Sequence, residues 1–107
     1  GKSQRDKGAR FEREIVNKAK EHSIEAYRVP LSGSAVGFKD DIELRFGRET
    51  WRIEAKKRGN GFKQIYDWKG EADILVIGAD HKPAMAVLDL DDFFNLITEA
   101  KNDTHND

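Results

Sequence analysis

Cysteine is absent from the 107 residues, which excludes a disulfide framework, a thiolate zinc site and a cysteine nucleophile. No apolar run is long enough to span a bilayer, and no secretory leader is recognisable. A cytoplasmic protein without a membrane partner is therefore expected. The three histidines, His22, His81 and His105, are scattered and read as surface residues. Phosphate-cradling glycine motifs, Ser-His-Asp spacing and zinc-ligand spacing are all missing, and no small-molecule organic cofactor is expected. Apolar residues are scarce too. At 37% of the chain, against 36% charged, they can fill one modest core but not two. Without repeats, low-complexity stretches or a linker, residues 1–100 read as one domain and 101–107 as a polar tail.

What the chain does have is charge, unevenly placed. Residues 1–79 carry 17 Lys/Arg and 13 Asp/Glu, whereas residues 80–107 carry 2 and 7. A basic body with an acidic end is compatible with a face that binds a polyanion.

Two stretches alternate apolar and charged residues without a break: Asp41-Ile42-Glu43-Leu44-Arg45-Phe46 and Trp51-Arg52-Ile53-Glu54-Ala55-Lys56. Side chains in a strand point to opposite sides in turn, so each reads as a strand with one buried face. A four-residue loop over 47–50 would join them as an antiparallel hairpin. Matching the apolar faces then puts Phe46 opposite Trp51, Leu44 opposite Ile53 and Ile42 opposite Ala55. The other face would carry Asp41 opposite Lys56, Glu43 opposite Glu54 and Arg45 opposite Arg52. Asp41 and Glu54 become diagonal neighbours, roughly 7–8 Å apart at the backbone.

Two carboxylates and a lysine on one exposed face suit a divalent-metal phosphodiesterase site. Mg²⁺ takes oxygen ligands, keeps several waters and needs only one or two protein carboxylates beside a substrate phosphate. A lysine nearby can offset charge building on that phosphate. The alternative is a solvated outer sheet face, on which such charge pairs contribute little.

Along the rest of the chain, Phe11, Ile15, Val16 and Ala19 mark a helix over 6–22, with Asp6 as its cap. A short strand over 24–29 ends at Pro30, and 31–37 is a small-residue loop. After a basic, glycine-containing turn at 57–61, a short helix is expected over 62–69. Strands over 73–78 and 84–90 follow, joined by a turn at 80–83. A last helix over 91–100 starts under Asp91. Tyr66 and Trp68 are read as packing on the sheet; of Phe93 and Phe94, one belongs to the core and the other to a dimer interface. The order αβββαββα implies an α/β fold with a mixed sheet and helices packed on it.

Four blocks resemble the archaeal-type Holliday junction resolvases of the PD-(D/E)-x-K nuclease superfamily. Lys7-Gly8-Ala9-Arg10-Phe11-Glu12-Arg13 is similar to the family's K-G-x-x-x-E-R helix, and Arg28-Val29-Pro30-Leu31-Ser32-Gly33-Ser34 to its R-x-P-x-S-G-S loop. Asp41-Ile42 resembles its aspartate strand, and Ile53-Glu54-Ala55-Lys56 its E-x-K strand. Asp41 rather than Asp40 is chosen because Ile42 follows it and because it falls on the exposed face.

The resemblance implies a restriction-endonuclease-like mixed β-sheet flanked by helices. It also implies that Glu12, Asp41 and Glu54 hold a catalytic Mg²⁺, with Mn²⁺ as an alternative, and that Lys56 is the catalytic lysine. Ser32 would lie near the scissile phosphate. Lys7, Arg13, Arg28, Ser34, Lys57 and Arg58 would contact DNA, and Gln64 is a further candidate contact. The function implied is symmetric nicking of four-way DNA junctions by a homodimer. A flap, nick or duplex nuclease of the same superfamily and a non-catalytic nucleic-acid-binding module are the alternatives.

Overall fold

A computed structural model of the chain describes residues 2–29 and 41–105, with side chains described over 7–29 and 42–100. Eight elements follow in order: α1 (Lys2–Glu21), β1 (Glu25–Val29), β2 (Asp41–Phe46), β3 (Glu49–Ile53), α2 (Lys63–Lys69), β4 (Leu75–Ile77), β5 (Met85–Val87) and α3 (Leu90–His105). This is the expected αβββαββα order, an α/β arrangement consistent with a restriction-endonuclease-like fold. The strands form two antiparallel sheets, one ordered β1-β2-β3 and a separate pair β4-β5.

α1 starts at Lys2, so Asp6 lies inside the helix and does not cap it. Nothing in α1 before Ile15 is β-branched, and weak formers there are few (Ser3, Asp6 and Gly8), so the early turns meet little resistance to helix. The stripe of Ile15, Val16 and Ala19 is buried, with Phe11 packed beside it. Helix α1 ends in a Schellman arrangement. The Ile24 N–H donates to the Ala19 carbonyl and the Ser23 N–H to the Lys20 carbonyl, both at 2.9 Å. Ser23 takes the left-handed position with φ 62°. This closure turns the chain back so that Ile24 and Ala26 enter the core against α1.

The hairpin register differs from the sequence expectation. Ile42 pairs with Ile53, Glu43 with Arg52, Leu44 with Trp51, Arg45 with Thr50 and Phe46 with Glu49. The loop is two residues, Gly47 and Arg48, rather than four. Gly47 has φ 62° while Arg48 does not enter positive φ, the type II′ pattern whose twist suits flanking strands. The tighter turn slides the pairing by two residues. The apolar faces stay matched, but the Glu43–Glu54 and Arg45–Arg52 oppositions vanish and Glu43 gains Arg52 as its partner across the strands.

The core joins α1, the three-stranded sheet and α3: Phe94, Ile24, Ile42 and Leu44 are its largest fully buried side chains. Phe93 packs against the same cluster. α3 begins one residue before Asp91, so that side chain serves as an anchor in the first turn. It accepts from Lys18 Nζ at 3.0 Å and meets His22 Nε2 at 3.0 Å. His22 is thus no plain surface residue: half-buried, it also lies against the Phe94 ring at 5.5 Å.

α2 has no buried residue. Tyr66 and Trp68 are exposed and do not pack on the sheet as expected. They are two residues apart on a helix of two turns, and so cannot share one buried face. The β4–β5 pair likewise leaves Ile74, Val76 and Met85 exposed.

Candidate active site

The register decides which charged residues meet. The β2–β3 pairing ends at Ile42 and Ile53; if it continued by one residue, Glu54 would lie directly opposite Asp41 rather than diagonal to it. Directly opposed Cα atoms in an antiparallel pair lie about 4.5–5.5 Å apart, closer than the diagonal spacing expected from the longer loop. The Asp41 side chain is outside the described residues. Beyond Glu54 the exposure still alternates, with Ala55 half-buried between exposed Glu54 and Lys56. Lys56 Nζ sits 3.3 Å from Glu54 Oε1. Glu54 and Lys56 thus form an ion pair just past the end of β3.

Glu12 reaches the sheet from α1 at Arg28, on the face that carries buried Ile42. It is only 9% exposed, unlike an ordinary charge on a solvated helix face. Arg28 Nε donates to its Oε1 at 3.1 Å. Arg28 is paired with Ile42 in the β1–β2 register, one row from Val29 and Asp41. A nearly buried carboxylate needs such a partner, because desolvation without a compensating bond is costly. Arg28 is thereby a positioning group for Glu12 as well as a candidate phosphate contact. Among the described residues no three His, Asp or Glu side chains gather into a metal-holding cluster.

The donor chemistry fits Mg²⁺ nonetheless. Positions 41 and 54 are carboxylate residues at the start of β2 and just past β3, and Mg²⁺ needs only one or two such oxygen donors because it retains most of its waters. Glu54 is half exposed, which leaves room for those waters.

The outer face of the sheet carries a second polar group that the sequence reading missed. The Tyr27 hydroxyl donates to Glu43 Oε2, and the Arg45 guanidinium lies 5.4 Å from the Tyr27 ring centroid. The bond to Glu43 holds the Tyr27 phenol above its ordinary pKa, because ionising it would forfeit a donor to a carboxylate. Pairing the 24–29 strand with the 41–46 strand in register would have revealed this contact.

The remaining candidates divide plainly. Lys57 and Arg58 follow Lys56 on the exposed connection. Lys57 Nζ lies 5.2 Å from the Phe11 ring centroid, and Arg58 donates to the Lys57 carbonyl at 2.9 Å. Lys7 and Arg13 are exposed on α1 and Gln64 on α2. Ser32 and Ser34 lie outside the described residues.

An α/β domain with this element order, an E-x-K pair after β3 and a helix glutamate held by an arginine of β1 is consistent with a restriction-endonuclease-like nuclease. The family model described as archaeal Holliday junction resolvase (hjc) matches residues 3–92, and the chain belongs to that family, whose members are nucleases of branched DNA junctions. The match extends through α2 and the β4–β5 pair, well past the four blocks that carry the resemblance. No curated protein and no solved structure gave a match. Among the described residues no helix is long and apolar enough to cross a membrane.

Proposed function

We propose that the protein resolves four-way DNA junctions inside the cell by Mg²⁺-dependent hydrolysis, nicking two opposing strands symmetrically as a homodimer. The observation that supports the metal site is the hairpin register, which if extended one residue past Ile42 and Ile53 would bring Glu54 opposite Asp41, with Lys56 Nζ 3.3 Å from Glu54 Oε1.

Asp41 and Glu54 would hold the ion, with Glu12 as the third carboxylate; Mn²⁺ fits the same donors. When bound, the ion supplies Lewis-acid polarisation of the phosphate and a lowered pKa for its water. The chain's own groups do the rest. A water oxygen attacks phosphorus and the bond to the leaving sugar oxygen breaks. The Lys56 ammonium offsets the charge that grows on the phosphoryl oxygens. Arg28 keeps the Glu12 carboxylate fixed in its nearly buried position. Lys7, Arg13, Arg28, Ser34, Lys57, Arg58 and Gln64 would hold the DNA backbone, with Ser32 near the scissile phosphate.

The homodimer is supported by the apolar surface left uncovered on α2 and β4–β5. Tyr66 is 75% exposed, Val76 65%, Met85 62% and Trp68 60%. An isolated two-stranded sheet is marginal in water, and large apolar side chains left exposed on such elements call for a partner surface. A second copy related by a two-fold axis would cover this surface and match the two-fold symmetry of a four-way junction.

Glu54→Gln tests the site. It keeps the shape of the side chain and removes the charge that binds the ion. Junction affinity should stay within about threefold of wild type while cleavage falls by at least about a hundredfold. Cleavage at the wild-type rate would remove Glu54 from the chemistry.

A further inference from the structure

On the far side of Arg28 from the sheet end lies a cleft of about 330 Å³ between α1 and β1. Its helix wall is Arg13, Asn17 and Lys20, its strand wall Tyr27 and Arg28, and buried Val16 and Ala26 form the floor. Three cationic side chains line it, and no carboxylate does.

The strand wall is already engaged, since Tyr27 bonds Glu43 and Arg28 bonds Glu12. The helix wall is different. Among the described residues the side chains of Arg13, Asn17 and Lys20 have no hydrogen-bond or ion-pair partner. Their spacing of four and three residues sets them one above another along a single side of α1. Folding has thus lined a groove with three solvent-facing polar side chains, two of them cationic, that make no bond to the described residues of the protein.

The spacing selects the ligand. Seven residues of helix separate Arg13 from Lys20, about 10.5 Å along the axis. One phosphate group cannot meet both. A nucleic-acid strand presents one phosphate per roughly 3.4 Å of duplex axis, hence about three over that length. The cleft also has a direction. It begins at Arg28, one row from Asp41, and runs toward the start of β1, away from the carboxylates.

We propose that this cleft is a track for the DNA backbone flanking the cleavage point, gripped by Asn17 and Lys20 beyond the contacts made by Arg13 and Arg28. It rests on the nuclease reading above. The contact is to backbone and not to bases, so it serves affinity and alignment without sequence preference.

The test is binding of a labelled four-way junction in EDTA across a range of KCl concentrations, for wild type, Lys20→Gln, Lys20→Arg and Asn17→Ala. Lys20 and Asn17 are exposed, so the variants should melt with wild type. Lys20→Gln should raise Kd severalfold and reduce the slope of log affinity against log salt by about 1. Lys20→Arg should restore both, and Asn17→Ala should raise Kd with the slope unchanged. A Lys20→Gln protein with wild-type Kd and slope, while wild type cuts junctions in Mg²⁺, would overturn the track alone. A wild type that neither binds nor cuts junctions would overturn the nuclease reading and the track together.

Discussion

Replacing Phe94 with alanine should strongly destabilise the domain, although Phe94 lies outside the segment that the family model matches. Its side chain is fully buried and the largest of those that are, with the Phe93 ring 5.8 Å away and His22 5.5 Å away. Burying an aromatic side chain removes about 150–250 Å² from water. At about 25 cal/mol per Å² that is about 4–6 kcal/mol. Alanine keeps a small part of this, and the neighbours, tied into a helix and a sheet, can refill the space only partly. The expected loss is about 3–5 kcal/mol, against roughly 5–15 kcal/mol for a whole domain of this size. Thermal unfolding followed by far-UV circular dichroism should show Tm falling by at least about 12 °C. Phe93→Ala, half-buried at the edge of the same cluster, should cost less than half as much. A Phe94→Ala loss below about 1 kcal/mol would mean that α3 does not complete the core, and the docking of α3 on α1 would be refuted.

Two further perturbations address the backbone and the charges. Ser23→Gly should stabilise the protein by about 1 kcal/mol in urea unfolding, because Ser23 holds a left-handed position that glycine adopts without steric cost; a loss of stability would contradict the Schellman closure of α1. Asp91 is held below its ordinary pKa of 3.8 by its bond to His22 and then by Lys18, and Lys18 is correspondingly held above 10.5. A lowered carboxyl pKa gives stability that is present above about pH 4 and lost as pH falls through the folded value. The stability gap between wild type and Asp91→Asn should therefore close on acidification from pH 6 to 2; a gap that ignores pH would refute the anchor.

The element order was legible because periods of 3.6 and 2 are written in side-chain identity. Phe11, Ile15, Val16 and Ala19 can share a face only on a helix, and Ile42, Leu44 and Phe46 only on a strand. The hairpin register was not legible for a specific reason. Registers that differ by two residues bury the same faces, so the apolar pattern cannot separate them. The turn decides, and its tightness comes from the positive φ of Gly47. That slip changes which residues of the two strands face each other next to Asp41 and Glu54, so a detail that matters to the site depended on one glycine.

Other features depend on contacts distant in the chain. Glu12 and Arg28 are 16 residues apart, and nothing local to either says that they meet. His22 gave no sign of pairing with Asp91, 69 residues away. The apolar strands at 75–77 and 85–87 were read from their composition, but composition demands burial without saying what does the burying. Asn17 and Lys20 were visible as the next positions on the Arg13 side of α1, and only the packing of β1 turned that stripe into a cleft.

Labelled four-way junction and linear duplex of the same sequence, each incubated with the protein in Mg²⁺ or in EDTA and resolved on a denaturing gel, test the central claim most directly. Paired nicks at symmetry-related positions, confined to the junction and lost in EDTA, are expected of a metal-dependent dimeric resolvase. Equal cutting of the linear duplex, or junction cutting that persists in EDTA, would contradict it.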